Sequence, residues 1–136
     1  MNNPKLVLIF NEVDAIRMNR GQLCAFAGHA SMGFFDFATL QLNSITIDDE
    51  RDIYSKQNIS DRVFDGNLFI RWRNSGYRKI VLITGALLEE VYKKADRQNI
   101  LAYLQYSSHD DKPKCLAIFG TDESLKEFTK GMELMK

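Results

Sequence analysis

Cysteine and histidine are scarce in this chain, charge of either sign is not in excess, and long apolar runs are missing. Its two cysteines, Cys24 and Cys115, have no C-x-x-C spacing, and each sits inside an apolar segment. They read as buried free thiols of a reducing compartment. Two histidines and scattered carboxylates do not make a zinc site, so no metal is expected. Neither G-x-G-x-x-G nor a P-loop occurs, which argues against nucleotide cofactors, and none is implied. Eighteen basic residues balance 18 acidic ones, so no global field draws in nucleic acid. RNA binding would need a local basic patch. No apolar run approaches the ~20 residues of a membrane span, and no basic-then-apolar leader opens the chain. The expectation is a cytoplasmic protein without membrane attachment.

What is present suits one domain over residues 1–136, with 45% apolar and 26% charged residues. Lys5-Leu6-Val7-Leu8-Ile9-Phe10 is a continuous apolar run ended by Asn11-Glu12, the pattern of a strand buried on both faces. After a polar turn, Asn19 followed three residues later by Gln22 makes a capping-box pattern. Leu23, Ala27, Ala30, Phe34 and Phe37 then repeat at helical spacing as a core stripe. His29 falls on the neighbouring stripe with Gln22, Phe26 and Gly33, at the edge of the buried face.

The middle is less regular. Ser44 to Asp52 fits a loop or a short extra strand. Asp61 to Trp72 is apolar but interrupted by Asp65-Gly66-Asn67, which fits a hairpin-like turn or a broken helix equally. Beyond Asn74-Ser75-Gly76, Lys79 to Thr84 is a buried strand. Leu87, Leu88, Val91, Tyr92 and Ala95 then form a helical stripe, with Lys93, Lys94 and Arg97 favouring its carboxy-terminal dipole. Ile100–Tyr106 and Lys114–Phe119 are strands that may pair antiparallel, and Thr121 or Asp122 caps a last helix carrying Leu125, Phe128, Met132 and Met135. The fold class is α/β, a small mixed four-stranded sheet flanked by helices in the order β-α-(α)-β-α-β-β-α, its parallel neighbours joined by right-handed crossovers.

The segment Met18 to Ser31 is the most informative, because a glycine- and alanine-rich helix follows a buried strand and carries an isolated histidine. It resembles type-2 peptidyl-tRNA hydrolases, whose corresponding helix runs approximately G-K-x-A-A-Q-x-x-H-A. Gly21-Gln22-Leu23-Cys24-Ala25-Phe26-Ala27-Gly28-His29-Ala30 stands in the same register. The family's W-x-x-x-G-x-x-K-V-V is matched by Trp72, Gly76, Lys79, Ile80 and Val81, and its T-V-L-A-I-G strand by Cys115-Leu116-Ala117-Ile118-Phe119-Gly120. The resemblance spans nearly the whole chain, with extra residues around 41–69. It implies the family's fold, tRNA or peptidyl-tRNA as partner, ester hydrolysis without a cofactor, and a homodimer.

Three departures bear on activity. The family lysine is Gln22, the helix glutamine is Phe26, and the aspartate of Q-D-A-G-x-T is replaced by Tyr106 in Gln105-Tyr106-Ser107. Same-fold relatives of uncharacterised role also lack these groups. Hydrolysis needs an activated water, a stabilised oxyanion and a hold on phosphate. His29 is the candidate base, with Gln22 its candidate catalytic neighbour. Amides at the Gly21 helix start are the candidate anion hole. Arg17 and Arg20 are candidate phosphate contacts. His109 and Asp110, with Asp111, form a second candidate cluster beside the position of the missing aspartate.

Each has a plainer reading. A helix histidine is often a structural hydrogen-bonding residue, Gln22 a cap, and surface arginines solvated charges. Trp72 suits packing, and the Phe34, Phe35 and Phe37 cluster suits a core or a dimer surface. Ser107-Ser108-His109 has no triad pattern. Two functions therefore stay open: a divergent hydrolase, or a non-catalytic protein binding tRNA, an anion or a protein in the same cleft.

Overall fold

The computed structural model describes residues 3–42, 66–108 and 110–135. In chain order these form β1 (Pro4–Asn11), α1 (Glu12–Arg17), α2 (Arg20–Leu42), α3 (Gly66–Asn74) and β2 (Lys79–Thr84). There follow α4 (Leu88–Arg97), β3 (Leu101–Tyr106), β4 (Pro113–Thr121), α5 (Asp122–Lys126) and β5 (Glu133–Leu134). Of the inserted segment expected around 41–69, residues 43–65 lie outside the described residues, as does His109.

The five strands make one mixed sheet in the order β3-β4-β1-β2-β5. β1 runs parallel to β2, with Val7 opposite Ile80, and antiparallel to β4, with Val7 opposite Ile118. The two strands with unbroken apolar runs thus lie side by side at the centre. Leu6 to Phe10 and Cys115 to Phe119 are buried throughout, as strands covered on both faces must be. β3 and β4 pair antiparallel as expected. β2 and β3 share a direction but are not neighbours, because β1 and β4 lie between them.

Alternation divides the core. Leu6, Leu8, Phe10, Tyr103, Ala117 and Phe119 face α2 and α3. Val7, Ile9, Ala102, Leu104, Leu116 and Ile118 face α4 and α5. On the first face Trp72 is 1% exposed, stacks edge-on against Phe34 and Phe119, and donates its indole N–H to the carbonyl of Arg78 at 2.8 Å. Gly76 then turns the chain with φ 102°, a value that side chains resist, and Lys79 opens β2. Packing, a turn and a strand start thus explain the Trp-Gly-Lys spacing. Phe34 and Phe37 are core, while Phe35 is half-buried against Phe69 and Tyr77.

Four expectations need adjusting. The turn after β1 is a short helix, α1. The last helix ends at Lys126, the chain turns again at Gly131 with φ 90°, and Met135 instead donates its N–H to the carbonyl of Val81 in the sheet. That contact brings in β5, the strand that raises the count from four to five. Both cysteines are free, but only Cys115 is buried, where desolvation pushes its thiol pKa up; Cys24 is exposed.

Two predictions follow from packing and charge. A Cβ at Gly33 would lie 2.4 Å from the ring carbon Cζ and hydroxyl of buried Tyr103. Gly33→Ala should therefore destabilise the protein by roughly 1–2 kcal/mol net of the helix-propensity gain. Denaturant midpoints measure this, and Tyr103→Leu in the same chain should recover part of the loss. Asp122 accepts from Arg78 at 2.8 and 2.9 Å and lies 3.2 Å from Lys5, and the hydrogen bond from Arg78, foremost, holds its carboxyl below the usual range. A lowered folded-state pKa stabilises at neutral pH and is lost on acidification. Asp122→Asn should thus cost up to about 1 kcal/mol at pH 7, with the gap from the native protein closing below about pH 4.

Candidate functional site

Strand directions place the ends of β1, β2 and β3, and the start of β4, along one edge of the sheet. Asn11, at the end of β1, ties this edge together. Its side-chain N–H donates to the carbonyl of Ala86 at 2.8 Å, and its Oδ1 accepts from the N–H of Val13 at 3.0 Å. One buried amide thus caps α1 and fixes the loop after β2. Sequence reading took Asn11 only as a strand stop; a short polar residue directly after a buried strand was the available signal.

α2 begins on this edge. The N–H of Gln22 donates to Asn19 Oδ1 at 2.8 Å, and the N–H of Asn19 donates to Gln22 Oε1 at 3.0 Å. The capping box read from sequence is therefore formed, and it employs the side chain of Gln22. Gly21 leaves room for it, since a Cβ there would meet Asn19 Oδ1 at 3.3 Å. Arg17, in the last turn of α1, and Arg20, the first residue of α2, are both exposed beside this end. No acidic residue occupies the first turn of α2. The helix start consequently presents partial positive charge with two guanidinium groups next to it.

His29 is solvent-exposed, with its ring edge-on to Phe26 at 6.5 Å between centroids. It stands eight residues past Gly21, about 12 Å along the helix axis at 1.5 Å per residue. The helix start and the imidazole therefore serve different atoms of any ligand. One turn beyond His29, Gly33 brings the helix against Tyr103, whose hydroxyl donates to Gln105 Oε1 at 3.0 Å. Moving from Gly33 to His29 and from Tyr103 to Gln105 both lead toward the edge that carries the helix start. Gln105 is thus the half-buried polar group of β3 on the same face as His29. Gly28, by contrast, has nothing near its missing Cβ and makes no close approach.

The position of the family aspartate lies on the other side. The register between β3 and β4 shifts between Gln105 and Tyr106, and the Tyr106 ring packs against the α4 face of the sheet. Burial, then the charges of Glu89 and Asp111, push its phenol pKa up. Asp110 is engaged in its own loop: it accepts from the N–H of Lys112 at 3.1 Å and lies 3.1 Å from the Lys114 ammonium, and the hydrogen bond to Lys114, foremost, keeps its carboxyl below the usual range. The structure therefore gathers Arg17, Arg20, Gly21 and Gln22 at one helix end, sets His29 two turns along the same helix, and leaves Asp110 bound to neighbouring lysines.

No three metal-ligating side chains cluster among the described residues, and no described helix is long and apolar enough to cross a membrane. No curated protein matches the chain. The model of the family described as peptidyl-tRNA hydrolase PTH2 matches residues 5–135, which takes in every strand and helix above except the first residue of β1. By that match over nearly its full length, the chain belongs to the type-2 peptidyl-tRNA hydrolase family.

Proposed function

We propose that this protein binds the acceptor end of peptidyl-tRNA at the start of α2 and hydrolyses the ester with His29 as general base. The observation that carries the reading is the open imidazole two turns from a capped helix end flanked by Arg17 and Arg20. A phosphate of the acceptor end sits at the Arg20 and Gly21 amides, held by both guanidinium groups. The ester lies farther along α2, within reach of the imidazole, which takes a proton from the attacking water. Gln22 contributes by fixing where the helix begins through the cap. The chemistry calls for no cofactor. Free thiols suit a reducing compartment, so the proposed location is the cytoplasm, with a homodimer as the proposed assembly.

A second reading has specific support. The family lysine is replaced by Gln22, which is committed to the cap, and the position of the family aspartate holds Tyr106, turned toward α4. These facts favour a protein that binds tRNA, an anion or a protein partner at the same helix end without cleaving.

The two readings part in one assay. His29 is exposed and, among the described residues, its contact is with the Phe26 ring, so His29→Ala should change stability by less than about 0.5 kcal/mol. If His29 is the base, deacylation of a model peptidyl-tRNA should fall by about 10²–10⁴-fold in the variant. A native protein with no turnover but saturable tRNA binding establishes the second reading instead. Arg17→Ala/Arg20→Ala should raise the apparent KM severalfold if the protein cleaves, or the Kd for tRNA severalfold if it only binds, and an unchanged KM or Kd removes those arginines.

A further inference from the structure

On the face of the sheet opposite α2, a groove of about 380 Å³ runs between α4 and the turn after α5. Thr84 and Ala86 line it at the sheet edge that carries Asn11. Lys94 and Arg97 line one wall and Lys130 the other. Lys94 and Arg97 alone would be explained by the carboxy-terminal dipole of α4. Lys130 is not on that helix, yet it faces the same concavity.

The charges are also left unneutralised. Among the described residues, no carboxylate lies within ion-pair distance of Lys94, Arg97 or Lys130. The groove's carboxylate, Glu90, lies 3.9 Å from Lys93. Elsewhere Asp122 is paired with Arg78 and Lys5, and Asp110 with Lys114. The Lys94 ammonium sits 5.4 Å from the ring centroid of buried Phe128, a contact that holds it at the wall of the groove. Three cations and one carboxylate, Glu90, thus line a single groove in a chain of zero formal net charge.

We infer that this groove binds the phosphodiester backbone of RNA, through Lys94, Arg97 and Lys130, on the face of the sheet away from His29. The choice of RNA among phosphate-bearing ligands rests on the proposed peptidyl-tRNA function. An open channel lined from two elements suits a strand that passes across it. Its lining reaches Thr84, at the sheet edge where α2 also begins, so one RNA can span both.

The test is fluorescence anisotropy of a labelled deacylated tRNA over a salt series. Lys94→Ala/Arg97→Ala/Lys130→Ala should weaken binding at least tenfold at low salt and reduce the log–log salt slope by about two to three. Arg73→Ala/Lys112→Ala, which removes exposed charges outside the groove, should change affinity less than twofold. Lys94→Arg/Lys130→Arg should bind like the native protein, which separates lost charge from lost folding. Native affinity and slope in the triple alanine variant would overturn the inference, as would a native protein that binds no tRNA. Inorganic phosphate that binds the groove while tRNA affinity ignores the triple substitution would reassign the site to a small phosphate and also overturn it. Turnover is read separately with the same proteins. His29-dependent hydrolysis with an unchanged KM in the triple variant sinks the groove and spares the hydrolase. Absent turnover with groove-dependent tRNA binding does the reverse.

Discussion

The placement of α2 against the sheet is the constraint on which the candidate site depends. Two local features set it. Gly33 lets the helix backbone settle on the ring of Tyr103, with no room for a Cβ between them. At the other end, Asn19 and Gln22 exchange hydrogen bonds that define where the helix begins. Between these fixed points, helical geometry leaves little freedom. Core residues Ala30, Phe34 and Ala38 turn inward, and His29 is left facing solvent. The imidazole owes its exposure to the packing of its neighbours.

This arrangement gives the sheet two differently equipped sides. The α2 side carries an exposed histidine, the Tyr103–Gln105 hydrogen bond and the arginine-flanked helix start. The α4 side carries Tyr106 and a groove lined by Lys94, Arg97 and Lys130. Asn11 stands at the junction, bonded both to the start of α1 and to the loop leading into α4. An extended polyanion is the kind of ligand that can use both sides, because its charges repeat along its length. A compact substrate would have use for only one.

Much of the fold was legible because burial on two faces leaves an unmistakable run of apolar residues, as in Leu6–Phe10 and Leu116–Phe119. The capping box at Asn19 was legible because it depends on two side chains three residues apart. What escaped detection is set by tertiary contact. α1 has no buried residue, and Val13 and Ile16 point to solvent, so no stripe announces it. β5 is two residues long and exists through pairing with β2. The side taken by Tyr106 is the one that alternation gives it, with Ala102 and Leu104, whereas the register shift beside it was not legible. Lys94 and Arg97 were visible as helix-end charges, but their convergence with Lys130 appears only once the chain turns at Gly131.

The central claim is that the amides opening α2 and the imidazole of His29 engage one and the same ligand. It is tested most directly by NMR titration with an RNA acceptor-stem hairpin whose 3′ end carries a peptide through a non-hydrolysable amide. The account predicts that the Arg20 and Gly21 amide signals and the His29 ring signals shift together, with a single Kd. Shifts at the helix start with an unmoved imidazole, or shifts confined to other surfaces, would contradict it.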